Sequence, residues 1–374
     1  MKNAKSHNIV FFVESLKGGG TQRVVSNIIT HWDSISKKII LVTLKKTETD
    51  FYLIPKNVQR ICTGTSKRSN NKFIAAINNI KTIIKFREIL KNSDCDAAIS
   101  FLTSTNILTI IASIGIKKRI IISERSDPSL QKIETIWIVL RFLVYRFAAV
   151  VTANSPHAVK TMSSYVPKEK LCLIPNPIVL PSILARPRNA KMILNVGRLV
   201  PLKGQNRIIQ AYLQTDWFEA TGWNLTILGD GPSRDELVTL TNSQRKHNSI
   251  NLPGAISNPN IFYQSAAMFV MASDYEGTPN ALLEAMAHGL PCIVPDCLPG
   301  ALEHVEHNIS GLVYSAKDVT ALKECMISLA QDSDLRERLG NEARTRMDSY
   351  SIDKIARQWE ELLLSSETGK DANN

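Results

Sequence analysis

Short apolar runs alternate with helical periods along the first half of the chain. Asn8–Val13, Lys38–Thr43, Ala97–Phe101, Arg119–Ser123, Ala149–Ala153 and Leu171–Ile174 have the length and β-branched content of strands. The first run leads into Gly18-Gly19-Gly20 and then into a helical pattern over Thr21–His31. Alternation of this kind predicts βαβ units and a parallel, doubly wound sheet. A second series has strands at Met192–Val196, Leu225–Leu228, Ile250–Leu252, Met268–Met271, Cys292–Val294 and Gly311–Val313. Its helices fall near Gly204–Gln214, Arg234–Ser243, Asn258–Gln264, Asn280–His288 and Val319–Ala330. A last amphipathic pattern runs over Ile352–Leu364, and the tail after Ser365 reads as frayed.

Between the two series lies Pro175-Asn176-Pro177, then Leu180-Pro181 through Pro187, rich in proline and without a helical period. The predicted organisation is therefore a Rossmann-like domain over 1–178, a linker over 179–190 and a second Rossmann-like domain over 191–351. The final segment, 352–374, is a helix expected to cross back to the first domain. Two such domains would turn the carboxyl ends of their sheets toward one central cleft, the edge at which open α/β sheets bind ligands.

Composition narrows the class. The 374 residues are 44% hydrophobic and 21% charged, which excludes a disordered or collagen-like chain and suits two domains. The net charge of +11 is unevenly placed. Residues 1–180 hold 27 Lys and Arg against 11 Asp and Glu, a net of +16; residues 181–374 hold 18 against 23, a net of −5. Two domains with different partners would produce that division. The six cysteines form no CxxC pair and read as reduced thiols in a cytosolic protein.

Two segments raise the question of a membrane. Ile136–Val151 is apolar but interrupted by Arg141 and Arg146, too short to span. It is either a buried or half-buried helix followed by a strand, or an interfacial helix whose arginines meet headgroups. Residues 67–91 interleave Lys67, Arg68, Lys72, Lys81, Lys85, Arg87 and Lys91 with phenylalanine, isoleucine and leucine. That is a basic amphipathic helix, either a solvated face or a membrane contact. The +16 half tips the balance toward membrane contact.

Four motifs carry candidate chemistry. In Glu276-Gly277-Thr278-Pro279-Asn280-Ala-Leu-Leu-Glu284 a turn opens a helix, whose free amides and dipole make an anion site. Carboxylates at Glu276 and Glu284 can accept from sugar and ribose hydroxyls. In Asn195-Val-Gly197-Arg198-Leu-Val-Pro-Leu-Lys203-Gly204 two cations follow a strand end, suiting a diphosphate. The triple glycine allows close backbone approach to a phosphate or sugar but matches neither G-x-G-x-x-G nor a P-loop. Leu228-Gly229-Asp230-Gly231-Pro232 is a further strand-end turn.

In this order the motifs GGG-T-x-R, NVGRLVPLKG, LGDGP and EGTPNALLEAMAHGLP resemble the retaining glycosyltransferases of family four, over essentially the whole chain. The resemblance implies the GT-B fold and a UDP-sugar substrate, with no cofactor and no metal. It implies that Arg198 and Lys203 hold the donor diphosphate, that Glu276 contacts the transferred sugar and that Glu284 contacts the ribose. Gly197, Gly231, Gly277, Thr278, Pro279 and Asn280 would line the phosphate and sugar. Ala255 and Ile256 would cup the base. Gly19 and Gly20 would lie under the donor phosphate near the acceptor. Many members carry a histidine loop where this chain has Ser123-Glu124-Arg125-Ser126-Asp127-Pro128. The Glu-Arg-x-Asp-Pro form resembles enzymes that build lipid-linked glycans, so Glu124 and Arg125 are expected to touch acceptor or donor sugar.

The implied reaction is retaining transfer from a UDP-sugar, UDP-N-acetylgalactosamine or UDP-galactose, to a polyprenyl-diphosphate-linked glycan at the cytosolic membrane face. A same-face attack, with the donor phosphate taking the acceptor proton, would give retention. The alternative is a GT-B transferase for a soluble acceptor, or a nucleotide-sugar epimerase. Asp94-Cys95-Asp96 reads as a polar turn rather than a metal site, and His304 with His307 lack the companions of a zinc site. The basic stretches carry few aromatics and no nucleic-acid motif, so nucleic acid is not an expected partner. A Rossmann oxidoreductase would need the missing glycine fingerprint.

Overall fold

The computed structural model describes residues 8–65, 71–126, 128–129, 131, 133–182, 189–242 and 249–364. Lys67, Arg68, Asp127, Pro187 and the tail from Ser365 lie outside the described residues. The chain divides into two compact units, one of Met1–Pro177 with Ile352–Asn374 and one of Ile178–Ser351.

The first unit holds β1 (Ile9–Val13), α1 (Gly20–Ser34), β2 (Ile39–Thr43), β3 (Gln59–Cys62), α2 (Lys72–Asn92), β4 (Ala97–Phe101) and α3 (Thr103–Ser113). It continues with β5 (Arg119–Glu124), α4 (Thr135–Val144), β6 (Val150–Ala153), α5 (Pro156–Met162) and β7 (Leu171–Leu173). Its seven strands are parallel in the order β3-β2-β1-β4-β5-β6-β7. β1 and β4 are buried on both faces, which is why β1 reads as a continuous apolar run and β4 as one broken only by Ser100. Helices cover each face. α2, α3 and α4 pack over Val10, Phe12 and Ile122, whereas α1 packs over Phe11 and Ile99.

The second unit holds β8 (Met192–Val196), α6 (Gln205–Leu213), α7 (Trp217–Ala220), β9 (Asn224–Leu228), α8 (Arg234–Asn242), β10 (Ile250–Gly254), α9 (Asn260–Ser265) and β11 (Met268–Val270). Then come α10 (Asn280–Ala287), β12 (Cys292–Pro295), α11 (Pro299–Leu302), β13 (Gly311–Tyr314), α12 (Val319–Gln331) and α13 (Ser333–Met347). Its six parallel strands run β10-β9-β8-β11-β12-β13. The order reverses between β8 and β11, which opens a crevice at their carboxyl ends. The last helix, α14 (Ile352–Leu364), returns to the first unit, burying Ile355, Ala356, Trp359 and Leu363 beside α1.

The elements outside the sequence pattern include β3, α3 and α13. β3 is a polar edge strand with no fully buried residue. α3 is buried on most sides, its Thr and Asn side chains along with Ile and Leu, and carries no simple apolar stripe. α13 is highly charged, with only Leu339, Gly340, Ala343 and Met347 buried. The interfacial-arginine reading of this segment is corrected for Arg141, whereas Arg146 is exposed. Arg141 is buried, donating to Gln131 Oε1 at 2.8 Å and to the Pro128 carbonyl, and the helix turns apolar side chains outward instead.

Candidate active site

At the carboxyl edge of the second sheet, β8 is pinned to β11 by Asn195, whose buried amide donates to the Val270 carbonyl at 2.8 Å. Beyond it the chain crosses Gly197 and Arg198, makes a short turn over Pro201–Lys203 and enters α6 through Gly204. Gly204 has a left-handed φ of 64°, and a Cβ there would stand 2.1 Å from the Ala272 carbonyl oxygen. Only glycine lets this loop press against the end of β11. Gln205 fixes the far side, donating to the Arg198 carbonyl at 3.0 Å. Arg198 itself is exposed, and its guanidinium makes no hydrogen bond or ion pair among the described residues.

The loop after β11 meets this one through charge. Lys203 Nζ pairs with Glu276 Oε1, and the same oxygen accepts from Ser273 Oγ at 3.0 Å. Arg207 donates to Asp274 Oδ1 at 2.7 Å and to the Ala272 carbonyl, while the Asp274 amide donates to the Leu202 carbonyl at 2.8 Å. Glu276 leads through Gly277, Thr278 and Pro279 into α10, which begins at Asn280 with no side-chain cap. The positive end of its dipole therefore faces the same edge as Lys203. Glu284 stands one turn inside that helix. Gly300, at the start of α11, sits so close that a Cβ would fall 1.6 Å from the Gly277 oxygen.

The neighbouring turns complete the edge. Gly229-Asp230-Gly231 follows β9 and is tied to the cation loop, the Leu199 amide donating to the Asp230 carbonyl at 2.9 Å. The Gly229 amide donates to the Gly254 carbonyl at 2.9 Å, so Ala255 and Ile256 leave β10 beside that turn. Topology thus gathers Gly197, Arg198, Lys203, Gly231, Ala255, Ile256, Glu276, Gly277, Thr278, Pro279, Asn280 and Glu284 at one edge of one sheet. Two cations, a helix start and two carboxylates there can hold a diphosphate and the hydroxyls of a sugar. Sequence reasoning missed Ser273, Asp274, Gln205, Arg207 and Gly300. The signal was available for Ser273 and Asp274, which sit within a few residues of the carboxyl end of β11.

In the first unit Gly19 caps α1 and Gly20 begins it, directly after β1. Glu124 and Arg125, expected to touch acceptor or donor sugar, are both buried and held by protein partners. Adjacent residues on a strand end face opposite sides of the sheet. Glu124 turns toward α3 and α4, accepting from Thr103 Oγ1 at 2.8 Å, Gln131 Nε2 at 3.3 Å and the Tyr145 hydroxyl. Burial raises its pKa, against those hydrogen bonds and the nearby Arg141 charge. Arg125 turns toward α14, stacking 5.2 Å over the Trp359 ring and donating to Ser123 Oγ, the Ile174 carbonyl and Asn176 Oδ1. Burial pushes its pKa down to about 9. Among the described residues there is no cluster of three or more His, Cys, Asp or Glu that could hold a metal. His307 Nδ1 accepts from the Val313 amide at 3.0 Å, and His304 is buried against Tyr350.

Residues 180–346 match the family described as glycosyl transferases group 1. Two proteins of Campylobacter jejuni align end to end. One, an α-1,4-N-acetyl-D-galactosaminyltransferase acting on GalNAc-α-(1->4)-GalNAc-α-(1->3)-diNAcBac-PP-undecaprenol, is 26% identical over 95% of this chain and 98% of its own. The other, an N-acetylgalactosamine-N,N'-diacetylbacillosaminyl-diphospho-undecaprenol 4-α-N-acetylgalactosaminyltransferase, is 27% identical over 94% and 98%. Among solved structures, Anabaena Alr3699/HepE in complex with UDP and glucose superposes with a TM-score of 0.77 at 17% identity, covering 96% of this chain and 100% of that one. The architecture is that of the GT-B fold.

Proposed function

We propose, from the match of residues 180–346 to the glycosyl transferases group 1 and from the GT-B fold, that this chain is a retaining, metal-independent glycosyltransferase using a UDP-sugar. UDP-N-acetylgalactosamine and UDP-galactose are the favoured donors. The acceptor is a polyprenyl-diphosphate-linked glycan of bacterial polysaccharide, O-antigen or glycoprotein assembly. The enzyme works as a peripheral protein on the inner face of the cytoplasmic membrane. The observation that carries this is the Lys203–Glu276 pair at the carboxyl edge of the second sheet, beside the uncapped start of α10.

A departing diphosphate gains negative charge as the glycosidic bond lengthens. Lys203, Arg198 and the α10 amides stabilise that charge, so no metal is called for. Bound phosphate draws Lys203 from Glu276, and the freed carboxylate accepts from sugar hydroxyls. Glu284 takes the ribose, and Ala255 with Ile256 the base. Both Campylobacter relatives are named for an α linkage, the product that a retaining enzyme makes from an α-configured UDP-sugar. Glu124 and Arg125 act as positioning residues that set the end of β5.

The test is transfer from a panel of UDP-, GDP- and ADP-sugars to an undecaprenyl-diphosphate-linked glycan in the presence of a chelator. The expected result is an α-linked product from UDP-N-acetylgalactosamine or UDP-galactose, undiminished by the chelator. Turnover only with a GDP- or ADP-sugar overturns the donor, a metal requirement overturns the mechanism, and transfer only to a lipid-free glycan overturns the acceptor.

A further inference from the structure

Within the first unit, α2 and α4 flank α3 on one face of the sheet, each in contact with it. α3 is largely buried, but its two neighbours present apolar rows to the outside. On α2 the row is Phe73, Ile77, Ile80 and Ile84, spaced by four, three and four residues, while Thr82, Phe86 and Leu90 point inward. On α4 the outward residues include Val139, Phe142 and Leu143, and Phe147 just beyond is 72% exposed. α4 is inverted relative to an ordinary surface helix: its one charged side chain, Arg141, is buried and its apolar side chains are not. A helix that is apolar all round is normally covered, and an exposed apolar area of this extent marks an interaction site.

Charge decides what covers it. Lys81 lies beside the α2 row and Arg146 follows α4, both exposed, with exposed acids at Glu88 and Glu134; Lys85 donates to the Thr63 carbonyl at 2.6 Å. Residues 1–180 are +16 overall. Two copies of this face related by a two-fold axis would set excess positive charge against excess positive charge. An anionic bilayer satisfies both the apolar rows and the cations. No helix among the described residues is long and apolar enough to cross a membrane, so the surface would lie on the bilayer rather than span it.

We propose that α2 and α4 form a bilayer-docking surface, with Phe142, Leu143 and Phe147 entering the acyl-chain boundary and Lys81 and Arg146 meeting anionic headgroups. This rests on the lipid-linked-acceptor reading above and assigns it a place on the molecule. The surface is wired to β5: Arg141 holds Gln131, whose amide reaches Glu124, so docking fixes α4 against the strand end.

The experiment is co-sedimentation of the full chain with phosphatidylcholine vesicles, with and without phosphatidylglycerol. The variants are Phe142→Ser/Leu143→Ser and Lys81→Glu/Arg146→Glu, and thermal stabilisation by UDP reports the folded second unit. The wild type should partition to the anionic vesicles. The serine pair should lower partitioning by about tenfold or more, and the charge reversal should erase the preference for phosphatidylglycerol. Trp137, on α4, should be quenched by brominated lipid in the wild type. Serine variants that partition like the wild type overturn the proposal, as does a wild-type dimer that the serine pair dissolves. Vesicle binding without sugar transfer would leave the surface standing and remove the enzymatic reading.

Discussion

The two units use the same architecture and treat charge at their strand ends in opposite ways. In the second, Lys203, Glu276, Arg207 and Asp274 pair with one another in half-exposed positions at the sheet edge. In the first, Glu124 and Arg125 occupy the equivalent kind of position after β5 yet are wholly enclosed, each facing a different helical layer. Half-exposed pairs can exchange a protein partner for a ligand at small cost. Enclosed groups cannot, because an unpaired buried charge costs several kcal/mol. The outer faces differ too: the first unit keeps its charge inside and its apolar side chains outside on α4. One unit leaves its strand-end charges partly open to solvent, and the other encloses them.

The most direct way to break that contrast is to remove one cation from each unit. Lys203→Ala should lower kcat/KM by about 10³-fold, near 4 kcal/mol, with the unfolding midpoint almost unchanged. Arg125→Ala should destabilise the fold by about 3 kcal/mol, because three hydrogen bonds and the stack on Trp359 are lost together. Lys203→Ala at near-normal turnover, or Arg125→Ala at wild-type stability, would erase the distinction.

Acid and base sharpen it further. Burial, with the Arg346 charge, lowers His304 in the second unit to about 4. Below pH 6.5 the unfolded chain binds a proton that the folded chain refuses until about pH 4. Stability therefore falls as pH drops through that window, by on the order of 3 kcal/mol. Glu124 in the first unit works the other way. Its pKa is raised by burial, so the folded chain keeps a proton that the unfolded chain has already lost, and stability falls as pH rises through the interval. Denaturation at stepped pH checks both. His304→Phe should flatten the acid loss, and Glu124→Gln should remove the opposing slope. An unchanged profile in either variant rejects the assignment to that residue.

How much of this was legible in the sequence follows the same divide. The second unit's edge could be read because its chemistry is local: NVGRLVPLKG and EGTPNALLE each place their groups within a few residues of a strand end. Strands with buried faces, such as Ile9–Val13 and Met268–Val270, announced themselves by unbroken apolar runs. β3 did not, because an edge strand needs no apolar side chain, and α13 did not, because few of its residues are buried. The burial of Glu124 and Arg125 was illegible for a different reason. Their burial depends on Tyr145, Ile174 and Trp359, distant in sequence, and no local pattern reveals that α14 closes over Arg125. Arg141 misled in the same way, since its partners belong to the irregular loop before α4.

The smallest effect concerns how the second unit's pair is aimed. Ser273 Oγ and Lys203 Nζ converge on one oxygen of Glu276, so the lysine holds the carboxylate by charge and the serine fixes its orientation. When phosphate draws the lysine away, Ser273 remains as a fixed donor on that oxygen. Ser273→Ala should therefore lower kcat by about fivefold, roughly 1 kcal/mol, with little change in KM for the donor. Glu276→Gln removes the charge that Ser273 orients, and in that background the serine substitution should cost nothing further. A double-mutant cycle measures this. Additive losses would mean that Ser273 acts on the substrate directly, and a change confined to KM would mean that it serves donor binding alone. A fivefold loss in kcat that vanishes without Glu276 would show a carboxylate held in place by one unit's strand end, the role that burial gives to Glu124 and Arg125 in the other.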